Sequence, residues 1–156
     1  MRTNIKQLSA EEHHLVRKAL DARQNAQSPY SNFCVGAAVL AANGIVSMGC
    51  NVERANYTST SHAEQVAIDG LVAQIGPIGI RAIAIAGGMR GKDPDAPVWP
   101  CGHCRGIIWE NCLGNQKVHV IAIANLLEVE ISTIGELYPR PFGPEDLGIK
   151  IENVAR

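Results

Sequence analysis

Two short stretches of this 156-residue chain carry side chains that can do chemistry together. His62-Ala63-Glu64 opens one segment of helix-spaced apolar residues, and Pro100-Cys101-Gly102-His103-Cys104 opens another. Cys101 and Cys104 are three apart, so within one helical turn they share a face and can reach a single ion. His62 can supply a third ligand. Three protein ligands leave a tetrahedral zinc ion one open position for water, the catalytic pattern, whereas a structural site is closed by a fourth side chain. Zinc lowers the pKa of its bound water to roughly 7 and so supplies a nucleophile at neutral pH. Two helix amino termini aimed at the ion would further favour thiolate and negative charge.

Glu64 is the candidate general acid and base. Residues two apart on a regular helix point away from each other, so His62 and Glu64 can meet only where the helix begins. If His62 keeps non-helical geometry, Glu64 can lie against the water without ligating, take its proton, and pass it to a departing nitrogen. Two blander readings compete. A Cys-x-x-Cys redox pair needs no upstream His-x-Glu. A closed structural zinc site would need His103 as fourth ligand, but His103 falls between the cysteines on another face. Cys34, Cys50 and Cys112 sit in or beside apolar runs and read as small buried hydrophobes. His13, His14 and His119 lack a partner motif and read as surface or ordinary core residues.

The elements that must position these residues are also visible. Ser9 and Glu12 form a capping box, and Leu15, Ala19, Ala22 and Ala26 recur at helical spacing towards Gln27. Ser28-Pro29-Tyr30-Ser31 breaks this helix. Phe33 to Ala42 and Ile45 to Cys50 are apolar runs joined by Asn43-Gly44, a strong hairpin signal. A second helix runs from His62 to Gly76-Pro77. Arg81 to Ala86 reads as a buried strand, Gly87 to Pro100 as a loop long enough for a functional role, and Pro100-Cys101 as the next helix start. Val118 to Ala124 is a further strand suited to burial on both faces. The alternation predicts an α/β architecture, a mixed sheet with helices on its faces, in one domain over residues 1–156.

Composition narrows the function classes. Hydrophobic residues make up 46% of the chain, enough for one buried core at this length. No apolar run approaches a membrane span, and Met1 to Ala10 lacks signal-peptide character, which points to a cytoplasmic protein. Five cysteines without an export signal argue for metal binding or burial over disulfides. A net charge of -1 leaves no excess of cations for a row of phosphates, so a small molecule is favoured over nucleic acid.

Phe33-Cys34-Val35-Gly36-Ala37-Ala38, Gly49-Cys50-Asn51-Val52-Glu53, Ala63-Glu64, Pro100-Cys101-Gly102-His103-Cys104-Arg105 and Phe142-Gly143-Pro144-Glu145-Asp146-Leu147 together resemble the cytidine deaminases, in that family's order. The resemblance runs from about Pro29 to Leu147. It implies a three-layer fold, a zinc ion on His62, Cys101 and Cys104, and hydrolysis of cytidine or deoxycytidine to uridine or deoxyuridine with release of ammonia. It further implies that Asn51 and Glu53 hydrogen-bond the ribose hydroxyls, Phe33 packs on the pyrimidine, and the Ala63 amide meets the base carbonyl. Phe142 resembles the aromatic that a neighbouring subunit contributes, which implies a homo-oligomer: a tetramer, with a dimer as the alternative. The chain departs from single-domain relatives at His62, usually Cys, and Gln65, usually Arg. His-Ala-Glu-Gln resembles the larger dimeric enzymes instead. Trp99 stands in place of a small hydroxyl residue, and Arg54 in place of Asn. The alternatives are a deaminase of another base or of a modified, blasticidin-like nucleoside, a nucleic-acid editing enzyme, and a non-catalytic zinc-binding protein.

Overall fold

In the structure, a computed structural model that describes residues 1–155, the hairpin forms first in the chain's logic. Strands β2 (Phe33–Ala41) and β3 (Val46–Cys50) pair antiparallel from Gly36 opposite Cys50 to Leu40 opposite Val46. Asn43 accepts from the Ile45 amide at 3.1 Å, and Gly44 takes φ 87°, a left-handed conformation that glycine adopts at no steric cost. The remaining strands are β1 (Arg2–Asn4), β4 (Ile80–Met89), β5 (His119–Ile123) and β6 (Glu128–Thr133). They complete a six-stranded sheet in the order β1-β6-β5-β4-β2-β3. Only β4 and β5 run parallel, so the sheet is mixed.

Helix α1 (Ala10–Arg23) covers one face; α2 (Ala63–Ile75) and α3 (Gly102–Asn111) cover the other, with the short α4 (Ile134–Leu137) beside α3. Strand periodicity sorts the core accordingly. Ala37, Val39, Ile83, Ile85 and Val120 face α2 and α3; Ala38, Leu40, Ala82, Ala84, Ala86 and Ile121 face α1. Burial on both sides is why β2, β4 and β5 read as unbroken apolar runs. Each fully buried Ile, such as Ile83 or Ile85, contributes roughly 1.5–3 kcal/mol by leaving water.

The α1 face is lined with Ala because the helix comes very close. A Cβ on Gly36 would lie 2.2 Å from the Ala19 carbonyl oxygen. The capping box at Ser9 is present as expected, with both reciprocal bonds. Three sequence expectations need correction. The first helix stops at Arg23, not Gln27, because the Gln27 amide leaves to bond the Asn51 carbonyl at 3.0 Å and Gln27 bridges to Val52. The strand after α2 continues past Ala86 through Gly87 and Gly88 to Met89, paired with β2 as far as Phe33, so the loop expected from Gly87 begins only after Met89. And β1, β6 and α4 add an edge that the sequence reading did not include.

Candidate active site

Both chemical motifs sit at helix amino termini, and a glycine lets the first one in. Gly49 on β3 has no side chain where a Cβ would meet the Ala63 carbonyl oxygen and the Ala67 amide nitrogen, each at 2.4 Å. Helix α2 can therefore start directly against the sheet. His62 is its N-cap, in extended geometry at φ -81°, ψ 150°, with the first helical bond running from the Val66 amide to the His62 carbonyl at 3.0 Å. This is the non-helical geometry that allows His62 and Glu64 to converge. Cys101 caps α3 in the same way at φ -67°, ψ 173°. Neither cap uses a side chain, so the first-turn amides of both helices remain available to negative charge.

The three ligand candidates meet. Cys101 Sγ and Cys104 Sγ each lie 3.4 Å from His62 Nδ1, and all three atoms fall within 4.8 Å of one another. A tetrahedral zinc ion with bonds of roughly 2.0–2.3 Å spans about 3.6 Å along such an edge. The donor set, two thiols and an imidazole Nδ1, is one that zinc prefers. Cys104 is fully buried, and that burial, with Glu64 and Cys101 beside it, pushes its thiol up; a divalent cation at this point reverses the balance in favour of thiolate. Among the described residues His103 is not part of the group. Its Nε2 lies 3.3 Å from Gln65 Oε1 and its ring stands edge-on to His62 at 5.6 Å, so the fourth position is left open.

Glu64, in the first turn of α2, is only 5% exposed and is one of the groups that push the Cys104 thiol up. It borders a cavity of about 370 Å³, a size suited to a small organic ligand. Phe33, Asn51, Glu53, His62, Ala63 and Cys101 line the same cavity, so all but two of the residues singled out in the sequence converge on it. Cys104, the buried member of the trio, does not line the cavity. Phe142 does not line the cavity; it is 70% exposed, just before the 3₁₀ turn Pro144–Leu147.

The walls also hold residues that the sequence did not point to as site residues. Ser31, Val35, Thr60, Ser61, Val98 and Trp99 line the cavity, Trp99 having been noted only as a departure from the family pattern. Val98 closes on β4 because Gly87 leaves room: a Cβ there would meet Val98 at 2.4 Å. Glu53 is fixed by the Ser31 hydroxyl and by the Tyr30 and Ser31 amides at 2.9 and 3.2 Å. The Ser31 hydroxyl, ahead of these amides, holds the Glu53 carboxyl below its ordinary value. Asn51 already bonds the strand: its Oδ1 accepts from the Val35 amide at 2.8 Å and its Nδ2 donates to the Phe33 carbonyl at 2.9 Å. One amide hydrogen and one lone pair remain for a ligand. Arg105 clamps the start of α3, donating to the Pro100 carbonyl at 2.8 Å and the Leu137 carbonyl at 3.1 Å.

Helices on both faces of a mixed sheet, with a thiol-imidazole trio and a buried carboxylate at two helix starts, define a zinc-binding α/β protein equipped for acid-base hydrolysis. The family model for the cytidine and deoxycytidylate deaminase zinc-binding region matches residues 9–121, and the chain belongs to that family of zinc-dependent enzymes. It is 36% identical over 138 residues to the cytidine deaminase of Sporosarcina psychrophila, covering 88% of this chain and 96% of that one. To the cytidine deaminase of Halalkalibacterium halodurans it is 37% identical over 134 residues, covering 85% and 95%. The crystal structure of the Burkholderia pseudomallei cytidine deaminase superposes with a TM-score of 0.75 at 34% identity, covering 86% of this chain and 100% of that one. That of Mycobacterium tuberculosis gives 0.70 at 30% identity, covering 86% and 99%. No helix among the described residues is long and apolar enough to cross a membrane.

Proposed function

We propose that the chain hydrolyses the exocyclic amine of cytidine or deoxycytidine, giving the uridine nucleoside and ammonia. The observation that carries this reading is the buried Glu64 beside the open side of the His62, Cys101 and Cys104 trio, at one end of a nucleoside-sized cavity. These three residues hold zinc, which when bound supplies acidified water at neutral pH. Glu64 would accept a proton from the attacking water as a C4–O bond forms and would deliver one to the exocyclic nitrogen as the C4–N bond breaks. Phe33 packs on the ring, and the Ala63 amide, free at the helix start, donates to the base carbonyl. Glu53 and the unused capacity of Asn51 take the sugar hydroxyls, and a site built on such bonds rejects analogues lacking them.

Charge supports a free nucleoside over a nucleotide or nucleic acid. Glu53 and Glu64 line the cavity and, among the described residues, no Lys or Arg does, so no cationic side chain there would hold a phosphate. Residues 1–156 act as one deaminase domain, supported by two apolar clusters packed on opposite faces of one sheet. The exposed Phe142 fits an aromatic donated to a neighbouring subunit's cavity, hence a homotetramer, or a dimer built on the same exchange. Five cysteines with no disulfide between them fit a reducing compartment and so support a cytoplasmic location. The test is ammonia release from a panel of cytidine, deoxycytidine, cytosine, adenosine, guanine and blasticidin. Turnover of the two cytosine nucleosides above the rest supports the reading; a preference for blasticidin or a purine overturns it.

A further inference from the structure

A second cavity, of about 210 Å³, adjoins the 26–32 turn and is lined by Arg23, Cys34, Arg90, Lys92 and Asp93 among others. Three cations thus face one carboxylate. Arg23 is 5% exposed, yet it makes no ion pair; the three ion pairs of the described residues lie at Arg2–Glu128, Arg81–Glu11 and His119–Glu12. Its Nε donates to the Cys34 carbonyl at 3.1 Å, and its Nη2 to the Met89 and Lys92 carbonyls at 2.9 and 2.8 Å. That uses three of five N–H donors, all on neutral acceptors. Nη1 has no acceptor among the described residues and is not fully buried. Arg90 spends only Nη2, on the Ala26 carbonyl at 3.0 Å and the Ser28 hydroxyl at 2.9 Å. A buried cation with neutral partners alone is costly, and unused donors on a second Arg and a Lys surround the same space.

We propose that this cavity binds a tetrahedral oxyanion of the phosphate class, held by Arg23, Arg90 and Lys92. At about 30 Å³ per water the space holds about seven waters, and it falls below the roughly 300 Å³ at which whole-ligand pockets begin. The occupant is therefore inorganic phosphate or the phosphate end of a molecule that extends outward. Its site is joined to the nucleoside cavity through Arg90. The Arg90 amide bonds the Asn32 carbonyl at 2.8 Å and its side chain holds Ala26 and Ser28, so it braces the turn whose Tyr30 and Ser31 fix Glu53. An anion that steadies Arg90 steadies Glu53, and it lowers KM more than it changes kcat.

The experiment is thermal unfolding of the zinc-loaded protein titrated with inorganic phosphate at constant ionic strength, with chloride as the matched control. A saturable rise of about 3–6 °C is expected at ten times the dissociation constant. Lys92→Gln and Arg90→Gln, both at exposed positions, should weaken phosphate at least tenfold; Lys92→Gln keeps the carbonyl that Arg23 uses and should leave turnover without phosphate unchanged. Ribose 5-phosphate in parallel separates the sources: equal binding identifies the phosphate end of a larger molecule, and binding of inorganic phosphate alone identifies the free ion. A response that chloride reproduces, or that both variants keep unchanged from the parent, overturns the proposal, since the anion then has no dependence on this cavity.

Discussion

Gly49→Ala puts a methyl carbon 2.4 Å from both the Ala63 carbonyl oxygen and the Ala67 amide nitrogen, where ordinary contact begins at 3.4 Å. Both neighbours are backbone, so neither can rotate away, and the start of α2 must retreat by about 1 Å, the difference between those two distances. Overpacking of this kind costs typically 1–3 kcal/mol. At 2–4 °C per kcal/mol for a chain of this size, the melting temperature should fall by about 2–12 °C. The retreating turn carries His62 and Glu64, and a displacement of about 1 Å in a catalytic group costs on the order of 100-fold in rate. Calorimetry and the ultraviolet change on cytidine measure both quantities. Gly70→Ala, inside the same helix with 3.5 Å to the nearest side-chain atom, is the control: it should stabilise by about 0.5–1 kcal/mol and leave kcat/KM unchanged. If Gly49→Ala matches the parent in melting temperature and kcat/KM, or if Gly70→Ala loses as much, close approach of α2 to β3 is not what places the site.

Burial pushes the Glu12 carboxyl up, but bonds from His119 at 2.9 Å and from Ser9 outweigh it and leave the group below its ordinary 4.5. A depressed folded value means stability that is present above that ordinary value and lost as pH falls through the folded one; Glu12→Gln should therefore flatten the fall in melting temperature between about pH 5 and pH 3, as read by calorimetry. Cys101→Ala and Cys104→Ala should each lower bound zinc from one per chain to near zero by elemental analysis. Phe142→Ala should raise KM for cytidine, and mixing it with Glu64→Gln protein should restore part of the activity through shared pockets; absence of rescue after confirmed subunit exchange counts against sharing.

Most of the site was legible because its determinants are local. Cys-x-x-Cys at a helix start fixes two ligands on one turn, and Asn43-Gly44 between apolar runs fixes the hairpin that brings Phe33, Asn51 and Glu53 to one rim. What stayed hidden depends on partners distant in the chain. Arg2–Asn4 has no apolar pattern and exists as β1 only because its backbone pairs with the distant β6, Arg2 opposite Glu130 and Asn4 opposite Glu128. Glu128 to Thr133 does alternate, with Val129 buried, but it is short and polar-rich beside the longer runs. Gly87 and Gly88 read as a break in β4 but are glycines because Val98 and Arg23 press on the strand from other elements. Asn51 read as a ligand residue also stitches β3 to β2, a role set by register. His119 read as unpartnered because Glu12 lies 107 residues away.

The most direct test of the central claim is the rate of ammonia release from cytidine by the zinc-loaded chain and by its zinc-loaded Glu64→Gln variant at neutral pH. The buried carboxylate beside the metal trio predicts turnover by the parent and a loss of about 10²- to 10⁴-fold in the variant, with zinc content and fold unchanged. Equal rates in the two proteins, or no ammonia from a parent carrying one zinc per chain, would contradict it.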